Sequence, residues 1–305
     1  MKDEIFINNI LKKAEEAYEK GKLLIALNYY LKLLELDNKN EDFYINVALI
    51  YDELGERKEA KKYYEKAIEI NPYNGRGYYG LAVIYDEDKE YDLAIKNYKK
   101  AIEINPCYDK AYFFLANAYD LKGNKEKSIY YYKELLKISP LDFWGNLNLG
   151  SIYDEIGEID KAYKYFKKSL EIKPSHYMAL FNMAVVCKKF NSINKAESYY
   201  KKAINKNPGY PYSFLNLAVL YKEEGNIEKG LEILSKGIKY NPNCEFLYYN
   251  RSCFYVNLNM IEESSKDLIK AVKLYPGFLQ YIKEDDELIK TKNEKNFIEF
   301  IKTIK

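Results

Sequence analysis

Few side chains in this 305-residue sequence stand in a pattern that chemistry could use. Gly75, Gly77 and Gly80 form GlyArgGlyTyrTyrGly, a literal match to the glycine pattern that lets a backbone approach a dinucleotide pyrophosphate. That chemistry needs a strand before the glycines and an acidic residue beyond a second strand. Here Asn71 and Pro72 stop a helical pattern just upstream, so a turn that opens another helix is expected instead. His176 is the only histidine, so neither a histidine metal cluster nor an ordinary catalytic dyad can be assembled around it. Asp285, Asp286 and Glu287 form a carboxylate run that reads as a solvated helix start. Cys107, Cys187, Cys244 and Cys253 are widely spaced, with no CxxC pair, and are expected to be small buried fillers. Asn250-Arg251-Ser252 fits a glycosylation acceptor but falls inside an expected helix, so modification is not expected. No catalytic residue, metal ligand or cofactor site is assigned.

Composition narrows the class further. The chain is 48% hydrophobic and 31% charged, enough apolar residue for a sizeable core and too much for disorder. Its 48 basic and 46 acidic residues give a net charge of +2, without a strong pull toward nucleic acid or an anionic membrane. The longest nearly apolar run, Met178 to Cys187, is interrupted by Asn182 and is too short to cross a bilayer. Met1 to Tyr18 is charged throughout and lacks the apolar stretch of a signal peptide. A cytoplasmic, reducing environment is the expectation.

The elements that would position any site come from a repeat. Pro72, Pro106, Pro140, Pro174, Pro208, Pro242 and Pro276 follow one another at a constant step of 34, and only Pro211 lies off the grid. Tyr51, Tyr85, Tyr119, Tyr153, Tyr221 and Tyr255 keep the same step, with Cys187 in the gap. Tyr30, Tyr64, Tyr98, Tyr132, Phe166 and Tyr200 form a second large row, continued by Leu234 and Leu268. Small residues form two more, one from Ala48 to Ser252 and one from Ala26 to Ser264. Within 41–74, Tyr44, Val47, Ala48 and Tyr51 lie on one helical face, Gly55 is a stop, and Ala60, Tyr64, Ala67 and Ile68 lie on a second. Each unit is therefore expected to be helix, turn, helix, turn, with first-helix positions 4, 7, 8 and 11 used for packing.

The order aromatic, Leu-Gly/Ala, Tyr, Ala, Phe/Tyr, Ala, Pro on this period resembles the tetratricopeptide repeat (TPR). Eight units are read: 7–40, 41–74, 75–108, 109–142, 143–176, 177–210, 211–244 and 245–278. Unit one departs from the pattern at Lys13 and Ala17 and has no proline, and the last unit has Arg251 where leucine is usual. The tail 279–305, with Leu288, Ile289, Phe297, Ile298, Ile301 and Ile304, is expected to be a C-terminal cap over the last repeat. The fold class is all-α: a single α-solenoid domain over 1–305, which the resemblance makes a right-handed superhelix with first helices lining a concave groove.

The resemblance implies a protein-interaction scaffold or adaptor that binds a peptide segment of a partner in that groove. Positions 2, 5, 6, 9, 12 and 13 of each first helix share the lining face by helical arithmetic. Position 6 carries Asn46, Asn148, Asn182, Asn216 and Asn250, interrupted by Gly80 and Phe114. A carboxamide offers two donors and one acceptor, which suits both polar groups of an extended peptide backbone. The row resembles the asparagine ladder of the O-linked N-acetylglucosamine transferase superhelix; the competing reading is a hydrogen bond inside each repeat. Position 12 carries Asp52, Asp86, Asp120 and Asp154 at helix C-termini, where an acid opposes the helix dipole at about 0.3–1 kcal/mol each. Over units two to five the lining holds eight acids and two bases; over units six and seven it holds three bases and one acid. This points to an acidic stretch for a basic partner segment, then a basic patch, against a reading of simply solvated helix ends.

Tyr79 and Phe113, at position 5 beside the gap in the asparagine row, are read either as packing or as an apolar pocket for a partner side chain. The carboxylate clamp of chaperone-binding TPR proteins is not present: Asn117 supplies one position, but Phe113, Met178 and Asn182 stand where basic residues are needed. The alternatives are a co-chaperone-like or regulatory TPR subunit of a larger complex, or a self-associating structural protein. A nucleic-acid partner and a membrane are not expected.

Overall fold

The computed structural model describes residues 2–304, with side-chain surroundings from residue 5. Among these residues the ordered backbone is helical, with no strand. Eight hairpins follow in order: α1 (Lys2–Glu19) with α2 (Leu23–Leu36), α3 (Glu41–Glu53) with α4 (Arg57–Ile70), α5 (Gly75–Glu87) with α6 (Tyr91–Ile104), α7 (Asp109–Leu121) with α8 (Lys125–Ile138), α9 (Phe143–Glu155) with α10 (Ile159–Ile172), α11 (Tyr177–Lys189) with α12 (Ile193–Lys206), α13 (Pro211–Glu223) with α14 (Ile227–Tyr240), and α15 (Glu245–Asn257) with α16 (Ile261–Leu274). From α3 onward every first helix has 13 residues and every second helix 14; α1 has 18.

Both turns have a local cause. The first ends each first helix with a left-handed residue, at Gly21, Gly55, Lys89, Gly123, Gly157, Asn191, Gly225 and Asn259. The next amide then reaches back to the helix, as Glu56 N–H does to the Tyr51 carbonyl at 2.8 Å and Glu90 N–H to that of Tyr85 at 2.8 Å. At Asn71, Asn105 and Asn207 the second turn is closed by a side chain. Asn71 Oδ1 accepts from Tyr73 N–H at 3.0 Å, and Asn105 and Asn207 repeat the bond before their prolines. Pro211, the one off-grid proline, occupies the first turn of α13, where its missing N–H costs nothing.

The chain divides into two compact units, Met1–Gly145 and Asn146–Lys305, with the division inside α9. In the first unit, Phe43, Val47 and Ile50 pack with Tyr30 and Leu33, while Ile45 and Ala48 pack with Ala60 and Tyr64. First-helix burial therefore differs from the expected set. Positions 3 and 10 are buried (Phe43, Ile50, Ile84, Ala111, Ala118), while position 4 is half-buried at Tyr44, Tyr78 and Tyr112. A first helix is gripped on two sides, by its own partner and by the preceding second helix, so its apolar stripe is wider than one seam.

In the second unit, Ala218, Leu234, Leu247 and Phe254 form one core cluster. The cap is four short pieces: α17 (Phe278–Glu284), a 3-10 turn (Asp286–Leu288), α18 (Ile289–Lys292) and α19 (Lys295–Ile304). Ile282, Leu288 and Phe297 cover Leu268 and Val272. Ile289, Ile298 and Ile304, expected to face inward with them, are exposed. Of the cysteines, Cys187 and Cys253 are buried fillers, Cys244 is intermediate, and Cys107 is exposed because it sits in the turn closed by Asn105.

Candidate ligand-binding face

The literal glycine motif at 75–80 is part of helix α5, preceded by helix α4. Its glycines serve packing. A side-chain carbon on Gly77 would stand 3.0 Å from Ile68 Cγ1, and one on Gly80 would overlap the Tyr64 ring. His176 stacks on Tyr177, and partial burial holds its pKa below the usual histidine value. Among the described residues no three His, Cys, Asp or Glu side chains are placed to hold a metal ion, and no helix is long and apolar enough to cross a membrane.

Some residues at positions 2, 5, 6, 9, 12 and 13, among them Asn46, Tyr79, Phe113 and Asn250, line three cavities; Asn117, Asn148, Asn182, Asn216 and the aspartates Asp52, Asp86, Asp120 and Asp154 line none of the three. One, of about 480 Å3 in the first unit, is lined by Glu15, Tyr18, Tyr30, Asp42, Asn46 and Arg76. Asp42 and Arg76, position 2 of successive hairpins, pair across it at 2.8 Å. A second, of about 370 Å3 in the same unit, is lined by Tyr79, Phe113, Phe114, Leu135 and Trp144 together with Asp109, Lys110 and Asp142. A third, of about 540 Å3 in the second unit, lies between Lys222, Glu223, Tyr249, Asn250 and Cys253.

Second-helix tyrosines feed this face from the core. Tyr98 is fully buried, yet its hydroxyl donates to Asp86 Oδ2 at 3.2 Å; the Tyr132 hydroxyl likewise donates to Asn117 Oδ1. Burial raises the Asp86 pKa above the usual carboxylate range, against the Tyr98 bond. Burial also raises Asp52, and nearby Glu87 adds to it. Asp120 pairs with Lys125 at 2.8 Å. In the second unit Asp154 pairs with Lys189 at 2.7 Å, and Lys188 with Glu223 at 2.7 Å, so these four charges at positions 12 and 13 are paired between neighbouring repeats.

The asparagines are not equivalent. Asn216 and Asn250 donate to carbonyls of their own helices, Tyr212 at 3.0 Å and Phe246 at 2.7 Å. Asn182 donates to Ser151 Oγ of the preceding hairpin at 3.3 Å. Asn148 is half-buried at the same helical position, and Asn46 opens onto the first cavity. The interruption of the row has a packing cause. Tyr64 fills the space beside residue 80, and Phe114 lies parallel to the Tyr98 ring, centroids 6.2 Å apart. Sequence reasoning did not place Leu135 or Trp144 in the aromatic cavity. Trp144 is the sole tryptophan, is 42% exposed and stands at position 2, which was itself a signal.

Helical hairpins at a constant step define an α-helical repeat scaffold for protein interactions. The chain belongs to the tetratricopeptide repeat family: tetratricopeptide repeat profiles match residues 41–74, 145–176 and 247–278, 75–106, 109–142, and 189–250. No curated protein sequence matches it. Among solved structures it is similar to the C-terminal part of a TPR repeat-containing protein from Cytophaga hutchinsonii, at 20% identity and a TM-score of 0.65, over 79% of this chain and 98% of that one. It is similar to YrrB, a TPR protein with an unusual peptide-binding site, at 22% identity and a TM-score of 0.53, over 60% of this chain and 95% of that one. It is also similar to the APC/C hetero-tetramer Cut9-Hcn1, at 16% identity and a TM-score of 0.57; the match spans 96% of this chain and about half, 55%, of that one.

Proposed function

We propose that this protein is an adaptor that binds a peptide segment of a partner protein along its first helices. The partner would anchor a bulky apolar side chain in the cavity between α5, α7 and the start of α9. The observation that supports this is the lining of that cavity. Tyr79, Phe113, Phe114 and Trp144 present aromatic surface at one opening, where a buried anchor gains most. The half-buried carboxylates Asp52, Asp86 and Asp120 lie on the same face of the first unit and favour basic side chains beside the anchor. YrrB, a relative in fold, has a peptide-binding site of its own, which is consistent with this use of the architecture.

The test is capture of partners from a nuclease-treated lysate by wild-type protein, Phe113→Ala, Trp144→Ala and Tyr73→Ala, followed by mass spectrometry. Tyr73 is 82% exposed in an inter-repeat turn and is the control. Proteins retained by wild type and Tyr73→Ala and lost with both cavity variants support the reading. Equal retention by all four, or retention only without nuclease, removes it.

A further inference from the structure

The turn between α17 and α18 does something that a simple cap does not need. Asp285 ends α17, and its carboxylate folds over the first-helix face of the last two hairpins rather than outward. Asp285 Oδ2 accepts from the Tyr249 hydroxyl at 2.6 Å, and Glu287 Oε2 lies 3.5 Å from Lys222 Nζ. Tyr249 is position 5 of its hairpin and Lys222 position 12 of the one before, so both belong to the lining row. Apolar contacts by Ile282, Leu288 and Phe297 already cover the end of the core. The two carboxylates add nothing to that burial; they occupy lining positions.

The surroundings suit an acid. Glu223, the one other carboxylate at this opening, is engaged by Lys188 at 2.7 Å. Lys222 lies over the Phe254 ring, 5.7 Å from its centroid, and faces Glu287 at 3.5 Å, an open pair with 32% and 60% of the two side chains exposed. Pairs of this kind are weak and exchangeable. The turn does not fill the opening: a cavity of about 540 Å3 remains between Asp285, Glu287 and the walls supplied by Lys222, Tyr249 and Asn250. Asn250 uses one carboxamide hydrogen on the Phe246 carbonyl and has its oxygen for a peptide N–H.

We propose that Lys222, Tyr249 and Asn250 form a docking site for an acidic segment of a partner protein, and that the chain's own Asp285-Asp286-Glu287 turn is a covalently attached competitor for it. This rests on the reading that partners bind along the first helices, but concerns a different unit and the opposite charge. The turn shows which chemistry the site accepts: a carboxylate on the tyrosine hydroxyl and another near the lysine. Because the competitor is tethered, its effective concentration is high, and an incoming acidic segment binds only as far as it displaces the turn.

The experiment uses the full chain and a fluorescein-labelled hexaglutamate peptide, with binding read by anisotropy at low and high salt. Asp285→Asn/Glu287→Gln is expected to bind about fivefold or more tighter than wild type at low salt, with the gain lost at high salt. Adding Lys222→Gln to that pair should remove the gain. Equal affinity of wild type and the double variant, or a gain untouched by Lys222→Gln, overturns the proposal, as does the absence of binding to either. Hydrogen exchange on the wild-type chain guards against a misfolded variant. Excess hexaglutamate should deprotect the amides of 286–288, and unchanged protection there also overturns it. Loss of partners from the Phe113 and Trp144 variants is a separate result, so either reading can fail alone.

Discussion

The Tyr64 ring lies where the side chain of residue 80 would begin, so Gly80 is the residue that lets a core tyrosine of one hairpin reach the lining of the next. Restoring the asparagine row there should fail. Gly80→Asn is expected to destabilise the chain by about 1–3 kcal/mol through overpacking. In a Tyr64→Leu background the same change should cost much less. Denaturant melts of the two singles and the double measure the coupling; additive effects would contradict the overlap.

Lys89 is the one residue other than glycine or asparagine that takes the left-handed turn position, at φ 63°. Lys89→Gly should raise stability by about 1 kcal/mol, since an L-residue with a large side chain is strained there. Gly55→Ala should lower it by a similar amount, although nothing lies within 4 Å of the added carbon. Thermal melts of opposite sign are the expected pair.

Tyr119 is 6% exposed and lies parallel to Tyr131, with ring centroids 5.5 Å apart. Tyr119→Ala should cost about 3–5 kcal/mol as a large-to-small core change. Asp120→Ala, next to it, breaks only a partly exposed pair with Lys125 and should cost about 1 kcal/mol or less. A Tyr119→Ala melting point no lower than that of Asp120→Ala would contradict the core assignment.

Asp86 is a carboxylate that burial holds above its usual pKa range. The folded state therefore binds its proton more readily than the unfolded chain. Ionisation then costs stability in full above the raised pKa, and that cost fades as pH falls from the raised pKa to the unfolded value, below which it is gone. Asp86→Asn keeps an acceptor for the Tyr98 hydroxyl and should melt higher than wild type at pH 7, with the gain gone near pH 3. A gain that persists in acid would mean that charge is not its source.

Arg251 replaces the usual leucine at position 7 of the last repeat, and its guanidinium meets Asp267 through two bonds, 2.6 and 2.8 Å. Asp267 is 6% exposed. Arg251→Leu should cost about 3–5 kcal/mol, because it leaves that carboxylate buried without its partner. Arg251→Leu/Asp267→Leu should recover most of the loss, as read by denaturant midpoints.

The repeat was legible because its causes are local. Pro72 and its six successors end second helices, and the residues at Gly55 and its equivalents end first helices, each through bonds within a few residues. The proline and tyrosine spacings carry that information without any distant contact. At position 5, Tyr79 and Phe113 were legible as either packing or the wall of an apolar pocket, but the other walls, Leu135 and Trp144, were not, because they come from other helices. The asparagine row was visible as a row, while its bonding was not. Asn216 turns to its own helix and Asn182 to the previous hairpin, a choice set by what stands beside each carboxamide.

Sequence by itself determined the hairpin, its period, the turn residues and the set of positions that share the lining, since helical geometry converts spacing into facing. Tertiary packing alone decided which lining residues remain available to a ligand. Tyr64 claims the place at residue 80, Lys189 neutralises Asp154, and Asp285 returns from the cap to Tyr249. Each of these joins residues from different helices, and the distance between such side chains depends on how the helices pack rather than on their separation along the chain.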